Sequence, residues 1–134
     1  MKDGELSSLS DLTDAGSYWK HKVVLTGVKL DLFTVLAEGP RDASAVADYF
    51  RGDLNAFSVY LNALVALSLL QKIDNCYGNT IFSERYLVRG RLEYKGDQLV
   101  VDDNYWELWG NLEEVLRTGT SSLESPIFHS DAAN

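Results

Sequence analysis

Three chain-breaking dipeptides divide the middle of this sequence into short segments, and their order constrains the fold more than any other feature. Gly39-Pro40 and Gly52-Asp53 each interrupt a helical pattern, because proline lacks the N–H that a helix needs and glycine permits a tight turn. Asp74-Asn75 separates two short apolar runs, which is typical of a β-hairpin. The expected order is therefore helix, short helix, turn, apolar helix and hairpin.

Apolar spacing and capping residues give the expected bounds of each element. The expected helices span residues 16–30, 32–37, 43–50 with Asp42 as its cap, 54–68, 81–88, and 104–117 with Asp102 or Asp103 as its cap. The expected hairpin pairs residues 69–73 with 76–80, and Gly119 is expected to end the last helix. The sequence therefore predicts a mainly α fold, a winged helix-turn-helix with a small β-hairpin wing and additional N- and C-terminal helices.

The two ends of the chain differ in composition from its middle. Residues 1–14 are small and polar and are expected to form an N-terminal arm, while residues 120–134 are rich in Ser, Thr, Asp and Ala and are typical of a linker or tail. One winged-helix domain is expected between them, over residues 15–119.

The first helix carries two apolar stripes where a surface helix needs one. One stripe holds Trp19, Val23 and Leu30, and the other holds Tyr18, Leu25 and Val28. Two stripes predict burial on both sides, against the chain's own core and against a partner. The alternative is that this helix is the central helix of a small bundle.

The helix expected to read DNA lacks the residues for that task. Residues 53–70 contain no Lys or Arg, yet phosphate neutralisation supplies most of the affinity of such complexes. The whole chain has 12 Lys and Arg against 20 Asp and Glu, a net charge of −8. These counts argue against nucleic acid and anionic membranes as partners, so a winged-helix DNA-binding regulator is the least favoured function.

The sequence shows no assembled catalytic, metal or cofactor site, so none is predicted within this chain. His21 and His129 lie far apart, and Cys76 is the single cysteine, which excludes an internal disulfide and a multi-cysteine zinc site. No G-x-G motif occurs. The sequence also shows neither a signal peptide nor a long apolar span, and a cytoplasmic location is expected.

Six segments, in order and at matching separations, resemble the N-terminal dimerisation domain of S-adenosylmethionine-dependent O-methyltransferases of the caffeate, acetylserotonin and bacterial antibiotic type. The segments that carry this resemblance are residues 16–33, 61–70, 77–80, 86–88, 105–109 and 116–119. Asp31 and Ser68 stand where that family often has glycine. Asp tolerates a left-handed backbone, so the turn at Asp31 is expected to persist.

The resemblance implies a homodimer of intertwined winged-helix domains that does not bind DNA. The residues expected at the dimer interface are Tyr18, Trp19, Val23, Leu25, Leu30, Phe57, Leu61, Leu64 and Val65. In a parent enzyme, Tyr105, Trp106 and Trp109 would form one wall of the pocket for a small-molecule hydroxyl acceptor. Tyr18 or Trp19 would reach into the partner's pocket. Plain core packing is the alternative for these aromatic residues.

The resemblance also implies a separate Rossmann-like domain that binds S-adenosylmethionine and carries the catalytic base. That domain is not expected among these 134 residues. Two functions follow from this expectation. The first is the homodimerisation module of a small-molecule O-methyltransferase. The second is a stand-alone interaction module that has the fold without the enzyme.

Overall fold

Helices dominate the computed structural model, which describes residues 8–9 and 16–120. Seven helices and three strands lie within residues 16–120. The helices are α1 (Gly16–Leu30), α2 (Leu32–Leu36), α3 (Ala43–Phe50), α4 (Leu54–Ala66), α5 (Ile81–Tyr86), α6 (Gly96–Gly110) and α7 (Leu112–Thr118). The strands are β1 (Arg41–Asp42), β2 (Leu70–Ile73) and β3 (Cys76–Asn79). The expected arm and tail lie largely outside the described residues.

The central helices begin where the sequence places capping side chains. The Asp42 carboxylate accepts a hydrogen bond from the Ala45 N–H at 2.8 Å, and Asp53 accepts one from the Ala56 N–H at 2.8 Å. Each cap satisfies a backbone donor that the first helical turn leaves without an intrahelical partner. The predicted starts of α3 and α4 are therefore confirmed.

The three strands form a small antiparallel sheet in the order β1-β3-β2. Asp74 and Asn75, which join β2 to β3, have φ values of 51° and 65°. Positive φ at both central positions is the geometry of a type I′ turn, whose twist matches that of the flanking strands. The predicted hairpin wing, and with it the winged helix-turn-helix, is confirmed.

Two sharp corners of the chain are made by residues other than glycine. Asp31, between α1 and α2, has φ 59°, and Ser68, between α4 and β2, has φ 61°. The prediction that the turn persists with Asp31 is confirmed. The corner at Ser68 also explains why α4 ends at Ala66 and does not continue to Ser68.

The core lies where α1 to α5 meet the sheet. Its buried side chains are Val28, Leu32, Phe33, Leu36, Val46, Leu61, Leu64, Leu69, Leu70, Tyr77, Leu87 and Val88. Tyr77 is buried at its ring, and its hydroxyl donates to the Asn62 side-chain oxygen at 2.6 Å. The wing is thereby fixed to α4 by both apolar and polar contacts.

Helix α1 approaches α2 and α4 closely at Gly27. A Cβ atom at this position would lie 2.8 Å from the Phe33 ring and 2.9 Å from the Tyr60 hydroxyl. The Tyr60 hydroxyl donates to the Val23 carbonyl, and burial raises the pKa of this phenol despite an opposing backbone hydrogen bond at Gly27. Glycine is thus required here for packing, since its φ is not positive.

The prediction for the last helix is wrong in its start and in its cap. Helix α6 begins at Gly96, because Leu99 and Val100 already pack against the core. Asp103 therefore lies inside the helix and caps nothing. The predicted single helix is also divided at Asn111, where α6 ends and α7 begins. The predicted C-cap is confirmed, since Gly119 has φ 75°.

Asp103 connects α6 to α1 through two lysines. Its side chain is 2% exposed; Oδ1 accepts from the Lys22 Nζ at 2.6 Å, and Oδ2 pairs with the Lys29 Nζ. Burial opposes ionisation of this carboxyl, but the hydrogen bonds and charges of Lys22 and Lys29 outweigh it and lower its pKa. Asp103 is therefore ionised and paired at neutral pH.

We predict that Gly27→Ala destabilises the fold although alanine favours helices. The gain in helix propensity is about 0.5–1 kcal/mol, whereas forcing a methyl group into a filled core costs about 1–3 kcal/mol. Urea unfolding should therefore give a net loss of about 1 kcal/mol. Gly110→Ala is the matched control, because a Cβ there meets nothing within 4 Å, and this variant should be slightly more stable. Equal effects of the two variants would contradict the packing argument.

We predict that Asp103→Asn lowers the free energy of unfolding at pH 7 by about 2 kcal/mol. This loss is smaller than the loss from breaking a fully buried ion pair, because both lysines reach solvent. The pKa of Asp103 is depressed in the folded chain, so its stabilisation is complete above the unfolded value near 3.8. It is lost as pH falls through the lower folded value. Urea unfolding of the variant and the wild type at pH 7, 5 and 3 should show a constant difference down to pH 5 that shrinks at pH 3. A pH-independent difference, or an equal effect of Asp102→Asn, would contradict this.

Candidate interaction surface

The predicted interface residues divide into three groups in the structure. Tyr18 and Trp19, near the start of α1, are exposed, and Trp19 retains 45% of its accessible surface. Val23, Leu30, Phe57 and Val65 are half-buried and pack against the core. Leu25, Leu61 and Leu64 are fully buried within the single chain. These last three residues have no surface to give to a partner, so they belong to the core.

The stripe of α1 that holds Tyr18, Leu25 and Val28 packs within the single chain. Leu25 and Val28 face inward and are covered by the chain's own helices. Tyr18 contacts the Trp106 ring of α6, with 4.4 Å between ring centroids. The Tyr18 end of this stripe thus contacts α6 of the same chain, although the two stripes of α1 predicted a partner against one of them.

A groove between α1 and α4 brings together two of the predicted interface residues. Leu30 of α1 and Phe57 of α4 line it, together with Thr26, Ala56 and Tyr60, and its volume is about 130 Å³. The Phe57 ring is held by stacking on Phe50, with 5.8 Å between centroids. Nearby on α4, Val59 is 72% exposed. Val59 lies on the opposite side of α4 from Phe57, beside the exposed Asn55 and Asn62, and this side carries none of the cations that a DNA-reading helix would present.

A second apolar surface, the α6–α7 face, consists of Tyr105, Trp109, Leu112 and Leu116. All four are exposed, Trp109 by 68%. Tyr105 and Trp109 are four residues apart on α6, and Leu112 and Leu116 are four apart on α7, so each pair shares one side of its helix. Large exposed apolar patches are uncommon on soluble monomers and mark interaction surfaces. The face adjoins the α1–α6 contact, because α6 supplies both.

The three aromatic residues predicted for a pocket wall do not share one environment. Trp106 packs on Tyr18, and the Lys22 ammonium lies 5.6 Å from its ring centroid. Tyr105 and Trp109 are exposed on the α6–α7 face. The described residues thus bring Tyr105 and Trp109 together, and they direct Trp106 into the contact with α1.

Sequence reasoning missed a groove of about 1060 Å³, which lies between β3, α5 and residues 36–40. Its charged residues are paired with one another or with neighbours: Arg91 with Glu84, and Arg85 with Glu93. Across the described part of the chain, no group of three His, Cys, Asp or Glu is placed to hold a metal. None of the described helices is both long and apolar enough to span a membrane.

Sequence comparisons agree with the described geometry. Residues 12–89 match the model of the O-methyltransferase dimerisation domain. The N,N-dimethyltransferase OxyT of Streptomyces rimosus is 34% identical over 113 residues, which cover 84% of this chain and 32% of that protein. The tetracenomycin polyketide synthesis 8-O-methyl transferase TcmO of Streptomyces glaucescens is 30% identical over 111 residues, which cover 81% of this chain and 33% of that protein. This chain therefore spans about a third of the length of these relatives.

Solved structures show the same relationship. An O-methyltransferase family protein from Burkholderia thailandensis superposes with a TM-score of 0.74 and 29% identity, over 87% of this chain and 35% of that one. Human N-acetylserotonin methyltransferase, solved in complex with SAM, superposes with a TM-score of 0.69 and 28% identity, over 89% of this chain and 37% of that one. With its winged helix and its exposed apolar surfaces, this chain belongs to the O-methyltransferase dimerisation-domain family.

Proposed function

We propose that this chain is the homodimerisation module of a small-molecule, S-adenosylmethionine-dependent methyltransferase. The observation that carries the proposal is the set of large apolar side chains that the single chain leaves uncovered, Trp109 above all at 68% exposure. Membership of the O-methyltransferase dimerisation-domain family supports dimerisation as the use of this surface. A second copy of the chain is the partner that both facts support.

The uncovered apolar area is suited to a permanent interface. Apolar surface removed from water contributes about 25 cal/mol per Å², and obligate dimers bury about 2,000 Å² or more in interfaces that resemble a domain core. The chain offers two such surfaces: the α1–α4 groove with Val59, and the α6–α7 face. Electrostatics alone would oppose association, because each copy carries a net charge of −8.

The exposed aromatic pair also supports a role beside a substrate. Tyr105 and Trp109 present flat, amphipathic side chains of the kind that line small-molecule pockets. We propose that the ring surface that the partner copy leaves uncovered forms one wall of the acceptor pocket, completed by a catalytic domain that binds S-adenosylmethionine and transfers its methyl group. A hydroxyl is the proposed acceptor group, as in the family's description, although one relative is named an N,N-dimethyltransferase.

We predict that the chain sediments as a dimer at micromolar concentration and that Trp109→Ser weakens this dimer by about tenfold or more, because buried tryptophans dominate interface energetics. The same variant should keep the unfolding free energy of the monomer within about 0.5 kcal/mol, since the ring is exposed there. Added salt should not weaken the dimer, because screening lowers the repulsion between like charges.

Two further variants locate the interface. Val59→Ser tests the α4 side, where the side chain is exposed, and Leu92→Ser is the control, a fully exposed apolar residue outside both surfaces. The control should sediment as the wild type does. A wild-type chain that sediments as a monomer of about 15.0 kDa at these concentrations would refute the proposed homodimer.

We also predict that this chain binds no S-adenosylmethionine by itself. It contains no G-x-G motif to cradle a nucleoside, and the proposed catalytic domain would supply that site. Isothermal titration of the chain with S-adenosylmethionine should show only the heat of dilution. A saturable signal would place cofactor binding within these residues and would require a different account of the module.

A further inference from the structure

The second half of α6 is attached to the fold by charge. In α6, all of whose residues are described, Asp103 is the one side chain that is fully buried; Gly96, the other buried residue, has no side chain. The first half of the helix packs against the core through Leu99 and Val100. Beyond Asp103, Tyr105 and Trp109 are exposed, and Trp106 and Leu108 are half-buried. The contact with α1 therefore depends mainly on Asp103 and on the neighbouring Trp106 ring.

The ion pairs of Asp103 fix where α6 lies along α1, in addition to holding the two helices together. Lys22 and Lys29 lie two turns apart on α1, and each engages a different oxygen of the one carboxylate. Two bonds to two oxygens restrict both the rotation of α6 and its displacement along α1. Trp106, one turn further along α6, rests on Tyr18, one turn before Lys22. The two helices therefore run antiparallel, with the carboxylate at a defined point of the contact.

Physical chemistry favours a positioning role for such a group. A buried ion pair contributes little net stability, because desolvation offsets most of the attraction, and its best-attested use is to specify register. An apolar side chain at position 103 would pack on α1 in several rotations, whereas a carboxylate held by two lysines satisfies its oxygens in one. Asp102, the neighbouring acid, is exposed and does not restrict the rotation of α6 on α1.

We propose that Asp103, Lys22 and Lys29 form a charge latch that positions the second half of α6 on α1 and thereby directs the α6–α7 face. The latch acts within the single chain. Its consequence for assembly rests on the proposed dimerisation function. Neutralising either side of the latch releases α6 beyond residue 103 together with α7, while the core and the wing stay folded.

Hydrogen–deuterium exchange of the chain tests the latch directly. In Asp103→Asn, amides of residues 104–118 should exchange about tenfold faster or more, which corresponds to about 1.4 kcal/mol of lost local protection. Amides of residues 28–70 that exchange without global unfolding should change little. Asp102→Asn, which removes the same charge one residue away, should leave both regions as in the wild type. Unchanged exchange in residues 104–118 would overturn the proposal, as would an equal increase throughout the chain.

A double-mutant cycle separates a latch from unrelated losses. Lys22→Met with Lys29→Met should release residues 104–118 in the wild-type background and add less than about twofold in the Asp103→Asn background. Additive effects would overturn the latch. If Asp103→Asn does not fold, Lys29→Met alone keeps the Lys22 bond and should give a smaller release. No release in that variant would count against the proposal.

The exchange experiment tests the latch independently of whether the chain forms a dimer. Exchange is measured at dilution, with the oligomeric state of each sample determined by sedimentation. A monomeric wild type with a releasable α6 refutes the dimer and keeps the latch. A dimer in which Asp103→Asn changes neither exchange nor dissociation constant refutes the latch and keeps the dimer.

Discussion

The packing of α1 against both the core and α6 is the constraint on which the rest of this structure depends. One side enters the core through Leu25 and Val28, and Gly27 lets the helix approach the Phe33 and Tyr60 side chains without a Cβ between them. Lys22 and Lys29, one turn on either side of Leu25 along the helix, hold α6. Displacement of α1 would therefore disturb the core and the attachment of α6 together, and the exposed surfaces keep their places because this helix does.

The winged helix in this chain keeps the geometry of a DNA-binding fold without its electrostatics. Helix α4 occupies the position of a recognition helix, but it carries no lysine or arginine and leaves Leu54 and Val59 exposed. A fold fixes where a helix lies, and the side chains on its free face decide what that helix contacts. The exposed Leu54 and Val59 favour contact with another protein surface, where water leaves both partners. The same scaffold is thus directed to assembly by the composition of one helix.

Local signals predicted most of the fold. Asp42 and Asp53 cap helices by bonding backbone groups three residues away, and Asp74-Asn75 sets the wing through its own dihedral angles. Each of these interactions joins residues that are close together in the sequence, so the sequence pattern predicts it. The interface predictions were less specific, because apolar residues such as Leu61 and Leu64 look alike in sequence whether they face the core or a partner. Only the tertiary packing distinguishes the two.

Asp103 shows why the contact between α1 and α6 could not be predicted from the sequence. An aspartate before an apolar helical stripe most often caps the helix, and nothing nearby contradicted that interpretation. Its partner Lys22 lies 81 residues away in the sequence. The available signal was a pair of lysines spaced to share one face of α1, opposite an acid set among apolar residues. This signal is visible only once α1 and α6 are known to be neighbours.

The residues that match the family model show why the contact between Asp103 and α1 matters for the whole module. The matched region, residues 12–89, ends before α6 begins, so the core and wing are the part that the family model describes. Helices α6 and α7 follow as an extension, joined to the core by Leu99 and Val100 and to α1 by Asp103. Under the proposed role of Asp103, loss of that contact changes the orientation of this extension, while the core remains intact. The α6–α7 face is therefore the part of this module whose direction single substitutions alter most readily.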